Sequence, residues 1–362
     1  MIILSNSGFI QNIQIHQNFP GGNIRVVEIN GQEISLNNEL RDTAGEWFYW
    51  AFCIEGAAGQ TLTFRFPRTR LGYAGPAVSH DLQNWTWLGT GEEPNAFTYT
   101  FSPDEHKVYF AHHMLYPTER FDALLARHGL CAETLCLSRK GRAVPYLRFG
   151  SGTRRILLTA RHHACESPGN YVLEGVLESL ITSPLPDTEV ICVPFVDYDG
   201  VLDGDQGKNR VPYDHNRDYS PESEALYAEV AAIRAFADAG VCYAFDFHAP
   251  YHTGRRNDTV FVVRNHPDLT AVYNRFSQLL ADAITEDALR YFPENDIHPG
   301  VEWNAPDTPC FGVYMNAAGA ALAFSLETTY FGLDDNRFTQ EKALALGRCF
   351  ARALAQFDAG EQ

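Results

Sequence analysis

The sequence predicts an α/β domain preceded by a small all-β sandwich, and three observations carry that prediction. The chain has 362 residues, which at about 100–200 residues per domain gives about two domains. Over residues 1–115, short period-2 or aromatic-rich runs are separated by Gly, Pro and Asn clusters, the pattern of a sandwich. Over residues 116–362, apolar runs alternate with longer stretches of 3.6 period, which implies a sheet covered on both faces by helices.

The sandwich strands are read at Asn23–Ile29, Trp47–Phe52, Thr61–Phe66, Ala96–Phe101 and Lys107–Ala111. Pro20-Gly-Gly and Gly72-Tyr-Ala-Gly-Pro76 supply turns. The boundary falls near Leu115-Tyr-Pro-Thr118, where a helix over Phe121–Arg127 begins. Beyond it, Ile156–Ala160, Glu189–Val196, Tyr243–Phe247 and Ala321–Leu326 read as buried strands. Helices are expected at 170–182, 221–239, 269–285 and 339–357. The second has Ser220 as cap, Pro221 at its first position, Glu222 and Glu224 in its first turn, and Gly240 at its end.

Charge narrows the function. Lys plus Arg is 28 and Asp plus Glu is 45, so the formal net charge is −17. Such a surface repels phosphate backbones and anionic lipid heads, so neither nucleic acid nor membrane is an expected partner. No run approaches about 18 apolar residues. The segment Met1–Gln14 lacks the basic start of a secretory signal. The eight cysteines form no CxxC pair, and several interrupt apolar runs, so they read as buried thiols in a reducing, cytoplasmic setting. Nothing in the sequence sets an oligomeric state.

Ligands of open α/β sheets gather beyond the carboxyl ends of the strands, and the polar residues concentrate there. Arg161-His-His-Ala-Cys-Glu166 follows one strand, and His248 follows another. Asp197-Tyr-Asp-Gly-Val201, Lys208-Asn-Arg210 and Asp214-His-Asn-Arg-Asp218 follow a third, and Glu327 lies within a fourth. A catalytic zinc takes three protein ligands, commonly two His and one Glu. His163 and Glu166 have HxxE spacing in a strand-to-helix turn, and His248 completes a set; His162 with Glu166 is an alternative pair, and His252 rivals His248. A carboxylate must then take a proton from the attacking water, and Glu327, in an apolar strand where an unpaired charge is costly, suits that task.

The ordered motifs Ala160-Arg-His-His-Ala-Cys-Glu166, Asp197-Tyr-Asp-Gly-Val201, Asn209-Arg210, Asp214-His-Asn-Arg217, Asp246-Phe-His248 and Ser325-Leu-Glu327 resemble those of the zinc metallocarboxypeptidases. They are closest to the cytosolic carboxypeptidase-like branch, whose catalytic domain also follows a β-sandwich. The resemblance implies a mixed central sheet flanked by helices over 116–362, behind a sandwich over 1–115. It implies one Zn²⁺ held by His163, Glu166 and His248, with Asp214 orienting the first histidine. Glu327 would be general base and acid, Arg210 would stabilise the oxyanion, and Asn216 and Arg217 would grip the terminal carboxylate of a peptide or protein C-terminus. This chain departs from the family in Asp197-Tyr-Asp-Gly, where Asn-Pro-Asp-Gly is usual, and in Asp246-Phe-His-Ala-Pro, where Asp-Leu-His-Gly-His is common. The segment Thr308–Met315 carries no Arg or Lys of the kind found in members that remove glutamate, which leaves Arg255 and Arg256 as substitutes. Two other functions fit the same residues. One is a zinc amidohydrolase or esterase for a small non-peptide carboxylate. The other is a catalytically silent binding protein using Trp47, Tyr49, Trp50, Trp85 and Trp87.

Overall fold

The protein is described by a computed structural model covering residues 2–3, 13–69, 71–91, 93–305 and 308–360; most of the segment read for a signal lies outside these. Residues Met1–Pro117 with Gly200–Val211 form one compact unit, and Thr118–Asp199 with Pro212–Gln362 form the other.

The first unit is two β-sheets. Its strands are β1 (Ile2–Ile3), β2 (Gln14–His16), β3 (Arg25–Asn30), β4 (Glu33–Asn37) and β5 (Ala51–Glu55). There follow β6 (Thr61–Arg65), β7 (Ala77–Ser79), β8 (Thr86–Trp87), β9 (Ala96–Thr100) and β10 (Lys107–Ala111). One sheet has the order β1-β2-β5-β10-β7-β8 and the other β3-β4-β6-β9. Alternation sends Phe52, Ile54, Val108 and Phe110 into a core shared with Trp50, Phe64, Phe66 and Phe97. Tyr49 and Trp85 are buried as well, so much of the aromatic cluster offered as a binding surface is packing. The strand expected from Trp47 begins only at Ala51.

The second unit is the α/β domain. In order it holds α1 (Thr118–Arg127), β11 (Glu133–Leu137), β12 (Ala143–Ser151), β13 (Arg154–Ala160), α2 (Pro168–Thr182) and β14 (Thr188–Val193). After α3 (Tyr198–Asp203), whose residues from Gly200 on belong to the first unit, come α4 (Ala228–Asp238), β15 (Tyr243–His248), β16 (Phe261–Arg264), α5 (Thr270–Ala283), α6 (Phe311–Ala317) and β17 (Leu322–Glu327). A two-strand ribbon, β18 (Gly332–Leu333) with β19 (Asn336–Arg337), precedes α7 (Gln340–Ala359). The sheet is β11-β12-β14-β13-β15-β17-β16. Its centre is parallel, while β11, β12 and β16 pair antiparallel, so the sheet is mixed, as expected. No described helix is long and apolar enough to cross a membrane.

The helix expected from Pro221 starts instead at Ala228. The reason is local: the Asp218 carboxylate accepts from the Leu226 and Tyr227 N–H groups at 2.9 and 2.8 Å, whereas Ser220 Oγ accepts only from Glu222 N, at 3.3 Å. Helices α2 and α7 meet backbone to backbone. A Cβ on Gly175 would lie 2.1 Å from the Leu344 carbonyl oxygen, and one on Gly347 would lie 2.1 Å from that of Val172. Gly169, in the first turn of α2, is pressed in the same way against the Phe247 carbonyl of β15.

Glu229, in the first turn of α4, is buried, and its Oε2 has no partner among the described residues. Burial, with Asp197 and Asp199 adding to it against Arg139, pushes its carboxyl up to about 7. Because the folded value lies above the unfolded one, neutral Glu229 is tolerated below about pH 4.5, and that stability is lost as pH rises through about 7. Glu229→Gln is therefore expected to be more stable than wild type at alkaline pH. In urea melts its advantage should grow by about 2 kcal/mol between pH 5 and pH 8.

Candidate metal centre

Three adjacent strands of the second unit converge here. At the exit of β13, Arg161 adopts the left-handed conformation (φ 62°), and its guanidinium is used locally, on the Ala164 carbonyl and Asn170 Oδ1. The chain then runs through His162 and His163 to Glu166, just before Pro168 opens α2. On β15, Asp246 and His248 lie two residues apart and so on one face. His248 is in register with Glu327 on β17, which places the two as direct neighbours about 5 Å apart across the sheet.

Glu166 is the hub. His163 Nδ1 lies 3.0 Å from its Oε1, and His248 Nδ1 lies 2.6 Å from its Oε2. The three donor atoms all lie within 4.8 Å of one another. Behind them, His163 Nε2 is 3.5 Å from Asp214 Oδ1, and His248 Nε2 contacts Asp246 Oδ2. Burial opposes a charged His248, but Asp246 and Glu166 outweigh it and hold its pKa well above the ordinary value; His163 is raised in the same sense, by Glu166 and Asp214 against burial. Despite burial, the neighbouring imidazoles hold the Asp246 carboxyl far below the usual carboxylate range.

His162, the alternative to His163, is fully buried and occupied on both sides. Its Nδ1 lies 2.9 Å from Asp246 Oδ1 and its Nε2 2.7 Å from Tyr219 Oη. With Asp246 and His248 it forms a second close grouping, which is sealed from solvent. His252 joins neither grouping and packs edge-on against Tyr251. Glu327, also buried, closes the rim.

The remaining expected residues fall in two places. Asn216 and Arg217 share a short 3-10 turn, His215–Arg217, anchored by His215 stacked 3.7 Å over Tyr227. Asn216 Nδ2 lies 3.4 Å from His248 Nε2, and its Oδ1 accepts from Phe311 N at the start of α6. Arg217 donates to the Asn216 carbonyl, and among the described residues no carboxylate pairs with its guanidinium. Arg210 belongs to the first unit, where it pairs with Asp42 and Asp205 at 3.3 and 3.1 Å. Arg256 donates to the Asn295 carbonyl and to Glu302; the Arg255 side chain lies outside what is described.

The donor set fits a divalent cation. Glu166, Asp214, Asp246 and Glu327 are four buried carboxylates, and buried anions need a compensating charge. Two imidazole nitrogens and a carboxylate facing one another, each imidazole backed by a second carboxylate, make a borderline-soft donor set suited to zinc. Sequence reading named the three facing residues and Asp214, but missed Asp246 and Tyr219. Asp246 had a usable signal, a carboxylate two residues before a histidine in one strand; Tyr219 had none. A further grouping in the first unit, His16, Cys53 and Glu55, does not suit a cation. Lys107 Nζ lies 3.3 Å from Glu55, burial pushes the Cys53 thiol up to about 12, and His16 Nδ1 accepts from Asn18 N, which keeps the proton on Nε2.

Comparison with known proteins bears on the fold and the family resemblance. Residues 15–113 match the family described as the cytosolic carboxypeptidase N-terminal domain. The chain is 26% identical to an uncharacterized protein of Zymomonas mobilis, over 95% of this chain and 96% of that one. It is 24% identical to cytosolic carboxypeptidase 2 of Danio rerio over 72% of this chain, and spans 40% of that protein's length. The metallo-carboxypeptidase structure from Burkholderia cenocepacia superposes with a TM-score of 0.78 at 20% identity, covering 97% of this chain and all of that one. The fold is that of the metallo-carboxypeptidases, and the resemblance read from the motifs is borne out.

If His163 and Glu166 donate to one metal, His163→Ala and Glu166→Ala should each weaken divalent-metal binding by at least roughly 100-fold. Elemental analysis after dialysis is expected to find about one ion per wild-type chain and a small fraction of that in either variant.

Proposed function

We propose that this protein is a zinc-dependent carboxypeptidase that hydrolyses the C-terminal peptide or isopeptide bond of a peptide or protein with a free carboxyl end. The observation that carries this reading is a convergence in the second unit. A His–Glu–His donor set, a buried carboxylate beside it, and an arginine without a carboxylate partner among the described residues come together there.

His163 Nδ1, His248 Nδ1 and Glu166 would hold the zinc. Zinc at such a set supplies a Lewis acid that polarises the scissile carbonyl and acidifies water. Glu327 takes the proton from the attacking water and delivers it to the leaving amine as the C–N bond breaks, so one carboxylate serves both half-steps. Its burial at the end of β17 excludes bulk water from that transfer. Arg217 presents a planar fork to the substrate's terminal carboxylate. Asn216 has its Oδ1 committed to Phe311 N, so only its Nδ2 hydrogens are available to that carboxylate. The oxyanion role of Arg210 rests on the resemblance alone. All eight cysteines are free thiols, which supports a reducing, cytoplasmic location.

Glu327→Gln is expected to lower kcat on a C-terminal peptide library by about 10²–10⁴-fold while keeping stoichiometric zinc. Arg217→Gln should lower kcat/KM by about 100-fold on substrates with a free carboxyl end. Stoichiometric zinc with no hydrolysis of any peptide would sink the peptidase reading, and turnover confined to small acylated non-peptide carboxylates would make the protein an amidohydrolase.

A further inference from the structure

We infer that His162 and Tyr219 are positioning residues for the metal site: they hold Asp246 as the acceptor of the His248 Nε2–H and so keep His248 Nδ1 directed at the metal. The inference rests on the zinc reading above.

A continuous line of hydrogen bonds runs from Tyr219 Oη to His162 Nε2, from His162 Nδ1 to Asp246 Oδ1, and from Asp246 Oδ2 to His248 Nε2. Every member is buried. His162 Nδ1 lies 2.9 Å from both Asp246 oxygens, and Thr159 Oγ1 donates to Oδ1 at 2.8 Å, so three side chains, with His248 on Oδ2, fix the plane of this carboxylate.

The direction of each bond follows from the chemistry at the far end. The Tyr219 phenol is pushed well above its ordinary pKa, chiefly by burial, so it stays an O–H and donates to His162 Nε2. A neutral imidazole that accepts at Nε2 must carry its proton on Nδ1, which faces Asp246. The carboxylate so fixed accepts the His248 Nε2–H through Oδ2, which leaves Nδ1, 2.6 Å from Glu166 Oε2, as the nitrogen that would give its lone pair to a metal. Phe311 packs against both rings, 5.6 Å from His162 and 5.9 Å from Tyr219, and shields the line from water. A histidine present for packing alone would use neither nitrogen; this one uses both.

The test is zinc affinity of the full chain, stripped of metal and titrated against a chromophoric chelator. Tyr219→Phe removes only the hydroxyl, and His162→Leu removes both hydrogen bonds; each should bind zinc about 10–100-fold more weakly. His162→Gln, whose amide N–H can still donate to Asp246, should stay within about threefold of wild type. Cobalt(II) spectra should shift in the Leu variant and not in the Gln variant. Adding Tyr219→Phe to His162→Leu should cost little more than His162→Leu alone, because the tyrosine acts through the histidine. Unchanged zinc affinity in both Tyr219→Phe and His162→Leu overturns the inference, and Tyr219→Phe alone decides it if His162→Leu does not fold. Two zinc ions per wild-type chain, with one lost in His162→Leu, would make His162 a ligand and overturn it as well. A wild-type chain that binds no zinc would instead remove the reading on which it rests.

Discussion

Glu166, Asp214, Asp246 and Glu327 place four carboxylates out of contact with bulk water around His162, His163 and His248, and much of the surrounding structure answers that constraint. Desolvating one carboxylate without compensation costs several kcal/mol or more. The parallel centre of the sheet brings β13, β15 and β17 side by side with their carboxyl ends aligned, so the imidazoles and the carboxylates meet at one rim. The rest of the compensation is delegated to Thr159, which donates to Asp246, and to Tyr219, which donates to His162 from behind.

That constraint also explains why so much was legible in the sequence. Strands buried on both faces read as short apolar runs, so Ile156–Ala160, Tyr243–Phe247 and Ala321–Leu326 lie within a residue or two of the strands found. Polar residues directly after such runs have few destinations other than the rim, which is why His163, Glu166 and His248 could be named together. Reading failed where the decisive partner was distant or not apolar. The start of α4 is set by Asp218, not by the Ser220–Pro221 pair with the better local signature. Trp47–Trp50 has strand composition, yet the strand begins at Ala51. Spacing left both His162 and His163 open, because the groups that occupy the two His162 nitrogens, Asp246 and Tyr219, lie 84 and 57 residues away in sequence.

The bulk acidity of the chain takes on a local meaning beside these observations. A net charge of −17 is spread over arginines that are mostly neutralised: Arg120 and Arg127 on Glu174, Arg148 and Arg155 on Glu189, Arg154 on Asp358, Arg264 on Asp296. Such pairs leave little positive potential to attract an anion from a distance. Arg217 differs from these in donating to a main-chain carbonyl, with no carboxylate paired to it among the described residues. Recognition of a carboxylate there would be short-range and geometric, set by the fork of one guanidinium.

The glycines of α2 give the site a mechanical character. Gly169 seats the head of the helix on the backbone of β15 beside His248, and Gly175 seats its middle on Gly347 of α7. Contacts made through backbone have no side chain that can change rotamer, so they give no slack. Glu166, immediately ahead of the helix, and His248, at the end of the strand, therefore move as parts of one rigid body. The spacing between donors from two distant segments is then as stiff as the fold itself, and misfit to an ion of another size would be felt as strain in the sheet rather than absorbed by a loop.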